Sequence, residues 1–233
     1  MDVPPGATGL LAGAISYTLG VCALVRPGDM TLPTPCVEWD LAMLLAHLSA
    51  SIADLETAIR TGTLDLEHPP QSAAGDPVET LRDQAAQLLC TVYGYDGAVR
   101  FVAVAGLPVP AGLVACTGAV EIAVHGWDVS AARSAAASGM RPQSPKNLKD
   151  LKNSEEPKYL IGPERPVRPI PPIPAVLATR MLRVCPLVVA GREGLFAGPV
   201  EVPAQATPGD RLVGFLGRDP GTLPRDSALV THE

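Results

Sequence analysis

Residues 41–59 read LAMLLAHLSASIADLETAI. Within them Leu41, Leu44, Leu45, Leu48, Ile52, Leu55 and Ile59 recur at steps of three and four, which puts them on one apolar stripe of an α-helix. The spacing predicts an amphipathic helix over about 37–60, with Asp40 serving its first turn, where an acid is favourable. His47 stands on the edge of the stripe, beside Leu44 and Leu48. A stripe of this kind is stable when other helices cover it.

Three further segments have the pattern to do so. Over 8–25, Leu10, Leu11, Ala14, Ile15, Leu19 and Cys22 keep helical spacing. After a loop over 61–76, Asp76 and Pro77 form a helix start, with Leu81, Ala85, Leu88, Leu89 and Val92 facing inward. The stretch AGLPVPAG breaks the chain, and a fourth helix is expected over about 112–136. Four helices with one long connection make the fold mainly α, a four-helix bundle. Beyond it, PAVLATRMLRVCPLVV predicts a fifth helix, GLFAGPVEVPA a short strand or extended piece, and PGDRLVGFLGRDP a short terminal helix. Residues 219–233 read as a frayed tail.

Composition agrees with helices. Hydrophobic residues make up 47% and aromatic residues 4%, so the core is built of Ala, Leu and Val rather than the residues that favour sheet. A net charge of −6 argues against a nucleic-acid or anionic-membrane surface. No uninterrupted run of eighteen apolar residues suggests a membrane span, and the N-terminal segment reads as a helix rather than a signal peptide. Five cysteines, widely spaced and odd in number, point to reduced thiols and a cytoplasmic location. All four lysines lie between 146 and 158 in a Pro-rich stretch, which reads as a solvated linker or inserted loop, the alternative being a lid or partner-binding arm. The expected division is therefore a bundle over 1–136, a Lys/Pro-rich insert or linker over 137–168, and a small C-terminal extension over 169–233.

Residues 120–128 read VEIAVHGWD, inside an Ala/Val-rich segment that must be buried. Burying a glutamate, a histidine and an aspartate without partners costs several kcal/mol. Glu121 and His125 are four apart, so on a helix they project from one face and can grip one cation. With His47 they form two imidazoles and one carboxylate, a donor set of catalytic zinc, with a fourth position for water or substrate. Helix bundles build metal centres from inward side chains in this way. The bland alternative is a helix-surface hydrogen bond between Glu121 and His125, with His47 a satisfied core histidine. Cys36 and Cys116 are the nearest cysteines, and both are left out of the ligand set. Asp128, three residues after His125, is placed to accept that ring's second N–H. Trp39 and Trp127 are expected to wall the site.

Two stretches carry a family resemblance. TPCVEWDLAMLLAHL at 34–48 and AVEIAVHGWDVSAAR at 119–133 resemble signatures of the actinobacterial proteins similar to mycothiol-dependent maleylpyruvate isomerase, and GDRLVGFLGRDP resembles their usual ending. The resemblance covers about 8–135 and 166–220. It implies a DinB-like bundle, a divalent metal on His47, Glu121 and His125, and mycothiol as cosubstrate. It also implies isomerase or S-transferase chemistry on a small molecule, in a family often recruited to specialised metabolism. Residues 141–163 have no counterpart in it, and the arginine with which the isomerase's second domain binds substrate has no evident match. An anionic substrate would need an arginine such as Arg82 or Arg100 nearby. Two rival readings stand beside this one: a thiol-independent, metal-assisted lyase or cyclase, and a non-catalytic metal- or ligand-binding bundle. Either a monomer or a homodimer is compatible with the sequence.

Overall fold

The structure, a computed structural model, describes residues 5–36, 39–64, 75–94, 99–137, 171–189 and 198–222. The Lys-rich segment, His68 and His232 lie outside these residues. Four helices form the bundle: α1 (Pro5–Cys22), α2 (Leu41–Thr61), α3 (Pro77–Tyr93) and α4 (Ala111–Ala137). All seven stripe residues of α2 are buried, each worth roughly 1.5–3 kcal/mol before entropy. By length and hydropathy α2 could also cross a membrane, but half of that window is buried inside the bundle, as in a core helix. It begins at Leu41, four residues later than the spacing predicts, because the Asp40 carboxylate accepts from the Met43 N–H at 2.9 Å and caps the helix there. At its other end Gly62, at φ 78°, closes the helix by donating to the Ala58 carbonyl.

Helix α4 is the centre of the molecule. Residues 122–132 are all buried, polar and apolar alike, so over this stretch the helix is covered on every side and shows no amphipathic period. It packs on α1, α2 and the later α5. The approach of α1 is close: Thr18 donates to the Ile122 carbonyl at 2.8 Å, and a Cβ placed on Gly126 would stand 3.2 Å from the Thr18 Cα.

A small three-stranded sheet departs from the sequence reading. The stretch expected only to break the chain is half of a hairpin, β2 (Phe101–Val104) with antiparallel β3 (Leu107–Pro110), and the short β1 (Thr63–Leu64) lies parallel on β2's other side. Ala105 and Gly106, at φ 48° and 78°, make the two-residue turn with positive φ at both positions that suits a strand's twist. Pro108 and Pro110 argued against a strand, yet β3 is the edge, where a missing N–H costs no ladder bond.

The C-terminal part adds α5 (Ala175–Val189) and α6 (Pro208–Phe215). From 198 the segment before α6 holds no strand, although Val200 donates to the Gly214 carbonyl at 2.8 Å; its residues 194–197 lie outside the described ones. Helix α6 opens on a capping box between Thr207 and Asp210. It ends in a Schellman turn: Gly217, at φ 82°, donates to the Gly214 carbonyl, and Arg218 donates to that of Val213.

Candidate metal centre

The structure brings His47, from mid-α2, together with Glu121 and His125, one turn apart on α4. One ligand atom from each lies within 4.8 Å of the others. His47 Nε2 is 3.3 Å from Glu121 Oε1, and the two imidazole centroids are 5.0 Å apart. The His47 and Glu121 side chains are 31% and 24% exposed, against 11% for His125, so the cluster opens to solvent on one side. Two imidazoles and one carboxylate with an open side fit a divalent ion that keeps an exchangeable position.

Glu121 and His125 each take a further hydrogen-bond partner. Ser51, one turn after His47, donates to Glu121 Oε1 at 3.1 Å and lies 3.5 Å from His47 Nε2. His125 Nδ1 is 2.9 Å from Asp128 Oδ2, which leaves Nε2 as the ring atom available to a metal. Trp39 stands beside both rings, its centroid 4.8 Å from that of His47 and 6.4 Å from that of His125. Met43, one turn before His47 on the same helix, is exposed.

The loop before α2 carries Trp39 and Cys36. Thr34 Oγ1 donates to the Trp39 carbonyl at 2.9 Å and accepts from the Cys36 N–H at 3.2 Å. Arg133 Nε, from α4, holds Asp29 Oδ2 at 3.1 Å and so pins the loop to the bundle. This fold brings Cys36 to the cluster, where spacing had given no reason to place it. Its Sγ donates to Asp128 Oδ2 at 3.3 Å and is 3.9 Å from His125 Nδ1. Burial first, then the Asp128 charge, push the thiol up to about 12 against the pull of Arg218, so Cys36 is a neutral donor at neutral pH. Cys116 is buried elsewhere on α4, and all five cysteines are free thiols.

Sequence reasoning also missed Arg218. Its Nη2 reaches Asp128 Oδ2 at 3.1 Å and its Nε reaches Oδ1 at 3.3 Å. Burial works to raise the Asp128 carboxyl, but the His125 hydrogen bond and the Arg218 charge outweigh it and hold the group below the usual carboxylate range. Arg82 and Arg100, considered for an anionic substrate, are exposed on α3 and ahead of β2. Nothing in the sequence joins position 218 to position 128; only the turn that ends α6 does.

A family model described as the mycothiol maleylpyruvate isomerase N-terminal domain matches residues 11–130, which include the three donors, Cys36 and Asp128 but not Arg218. No curated protein and no solved structure matches the chain.

Proposed function

We propose that this chain, which belongs to the mycothiol maleylpyruvate isomerase N-terminal domain family, is a metal-dependent enzyme using a low-molecular-weight thiol, mycothiol, to isomerise or S-conjugate a small organic molecule. The observation that carries the reading is the convergence of two imidazoles and one carboxylate from facing helices at a solvent-open face. His47, Glu121 and His125 would hold the ion, with zinc matching the donor set. When bound, it would lower the pKa of a coordinated thiol or water and supply a nucleophile at neutral pH. The chain's own residues do the rest. Asp128 fixes the His125 ring, Ser51 fixes the Glu121 carboxylate, and Trp39 with Met43 offers an apolar wall to an activated alkene or similar electrophile. The bundle to residue 136 carries the donors, and Arg218 from the C-terminal part reaches Asp128, the partner of His125. A donor set of three among the described residues favours chemistry over a staple, because structural zinc is normally closed by four protein ligands.

Protein purified without added metal is expected to hold roughly one zinc per chain. Chelation should leave far-UV helicity nearly unchanged, since the buried core needs no ion to cohere, while thiol-dependent conversion of activated alkenes disappears and returns with Zn²⁺. Unfolding on chelation would make the ion a staple. Conversion that ignores the thiol would favour the metal-assisted lyase or cyclase reading.

Ser51→Ala tests the support behind Glu121. Losing a hydrogen-bond partner of a metal ligand costs roughly 10–100-fold in affinity. Zn²⁺ affinity, read by competition with a chromophoric chelator, should fall by about tenfold, at the low end of that range, because Ser51 is only half-buried. An unchanged affinity would make the Ser51 contact incidental.

A further inference from the structure

Cys36, His125 and Asp128 also form a group close enough to hold a cation, but a cationic side chain already stands there. The Arg218 guanidinium contacts both oxygens of Asp128 and lies 3.8 Å from Cys36 Sγ. Asp128 is fully buried and Arg218 nearly so, with side-chain exposures of 0% and 14%. Arg218 is held at its own end too. The Schellman turn after α6 fixes its backbone, and its Nη1 donates to the Leu216 carbonyl at 3.0 Å. The chain therefore runs unbroken from α6, through Arg218 and Asp128, to the ring of His125.

From this geometry we infer that Arg218 is a positioning residue of the metal centre, and that docking of the 198–222 segment and metal binding at His125 are linked. The inference rests on the metal reading above and deepens it. The physical reason is orientation. With both oxygens engaged by one guanidinium, the Asp128 carboxylate has a single setting, and in that setting Oδ2 faces His125 Nδ1. Without Arg218, Cys36 is the side chain among the described residues that still hydrogen-bonds Asp128 apart from His125, through a weak thiol bond to the same Oδ2. The carboxylate can then turn, and the imidazole turns with it. Linkage is reciprocal, so metal binding must in turn hold α6 and its turn more firmly in place. The segment that does this lies beyond the residues the family model matches.

The test is a mutant cycle read by Zn²⁺ alone. Arg218→Met keeps the apolar stem and removes the fork. It is expected to lower Zn²⁺ affinity by about 10–100-fold with stoichiometry unchanged, the range seen when a ligand's supporting partner is lost. Asp128→Asn should do the same, and the double variant should be no weaker than Asp128→Asn alone, since both act through one contact. In the wild type, Zn²⁺ should slow hydrogen exchange at the amides of 208–218. Should Arg218→Met fold poorly, Arg218→Lys reads the same way: it keeps the charge but not the two-pronged contact, and an intermediate affinity is expected. Wild-type affinity in either Arg218 variant, or additive losses in the double variant, overturns the inference while leaving the metal reading intact. Failure of the wild-type protein to take up Zn²⁺ ends the metal reading, and the inference with it.

Discussion

Replacing His125 by alanine is expected to remove stoichiometric metal from the protein while leaving it folded. A site with three protein donors has little to spare. Loss of a mere partner behind a ligand costs roughly 10–100-fold in affinity, and loss of the ligand itself must exceed that. His125 is also the donor with the least exposure, 11% against 31% for His47 and 24% for Glu121, so water is least able to replace it. The stability cost should fall short of unfolding the protein. Asp128 loses one partner but keeps Arg218 on both oxygens and the Cys36 thiol on one, so no buried carboxylate is stranded. The expected loss is that of one buried hydrogen bond to a charged group, about 1.5–3 kcal/mol. Elemental analysis and thermal melts on the same preparation check both halves. Full metal occupancy in His125→Ala would take His125 out of the ligand set. A variant that fails to fold would instead make His125 a structural histidine.

How far the site could be read in the sequence depended on which residues shared an element. Glu121 and His125 declared themselves by a four-residue step on one helix. His47 did so because a histidine on the edge of an otherwise apolar stripe needs a partner. The α2 stripe showed the fold for the same reason: one period, repeated over five turns. Cys36, Ser51 and Arg218 were not legible in this way. Ser51 is one turn after His47 and could have been found by the same rule, but a serine in an Ala/Ser-rich helix signals nothing alone. Cys36 arrives through a loop whose path depends on Thr34, Asp29 and Arg133. Arg218 arrives from 90 residues away through a helix-ending turn. The hairpin was hidden by its prolines, which are tolerated because β3 has a free edge. α4 gave no amphipathic signal because its middle, 122–132, is buried on every side, so its polar residues stood out against an apolar background instead.

The α1–α4 approach sets the second large expectation. Gly126→Ala should destabilise the protein, although alanine is the better helix former by about 1 kcal/mol. A Cβ at 126 would lie 2.4 Å from Thr18 Oγ1 and 3.1 and 3.2 Å from the Thr18 Cβ and Cα. The hydroxyl cannot simply swing aside, because Thr18 is buried and its Oγ1 donates to the Ile122 carbonyl. The Cα cannot move without α1. Overpacking of this kind costs roughly 1–3 kcal/mol, more than the propensity gain offsets at its upper end. Gly126→Val adds a branched side chain against the same backbone, so a further loss, with poor soluble expression, is expected. Gly20 supplies the control. It lies in α1 too, with nothing within 4 Å of its would-be Cβ, so Gly20→Ala should raise stability by about 0.5–1 kcal/mol. Opposite signs for one substitution in the same helix pair separate packing from propensity. Thr18→Ala in the Gly126→Ala background removes the worst contact and should recover part of the loss. A Gly126→Ala protein that melts at or above the wild type would mean that α1 yields freely. The spacing of α1 and α4 would then be no constraint on where His125, one residue earlier, stands opposite His47.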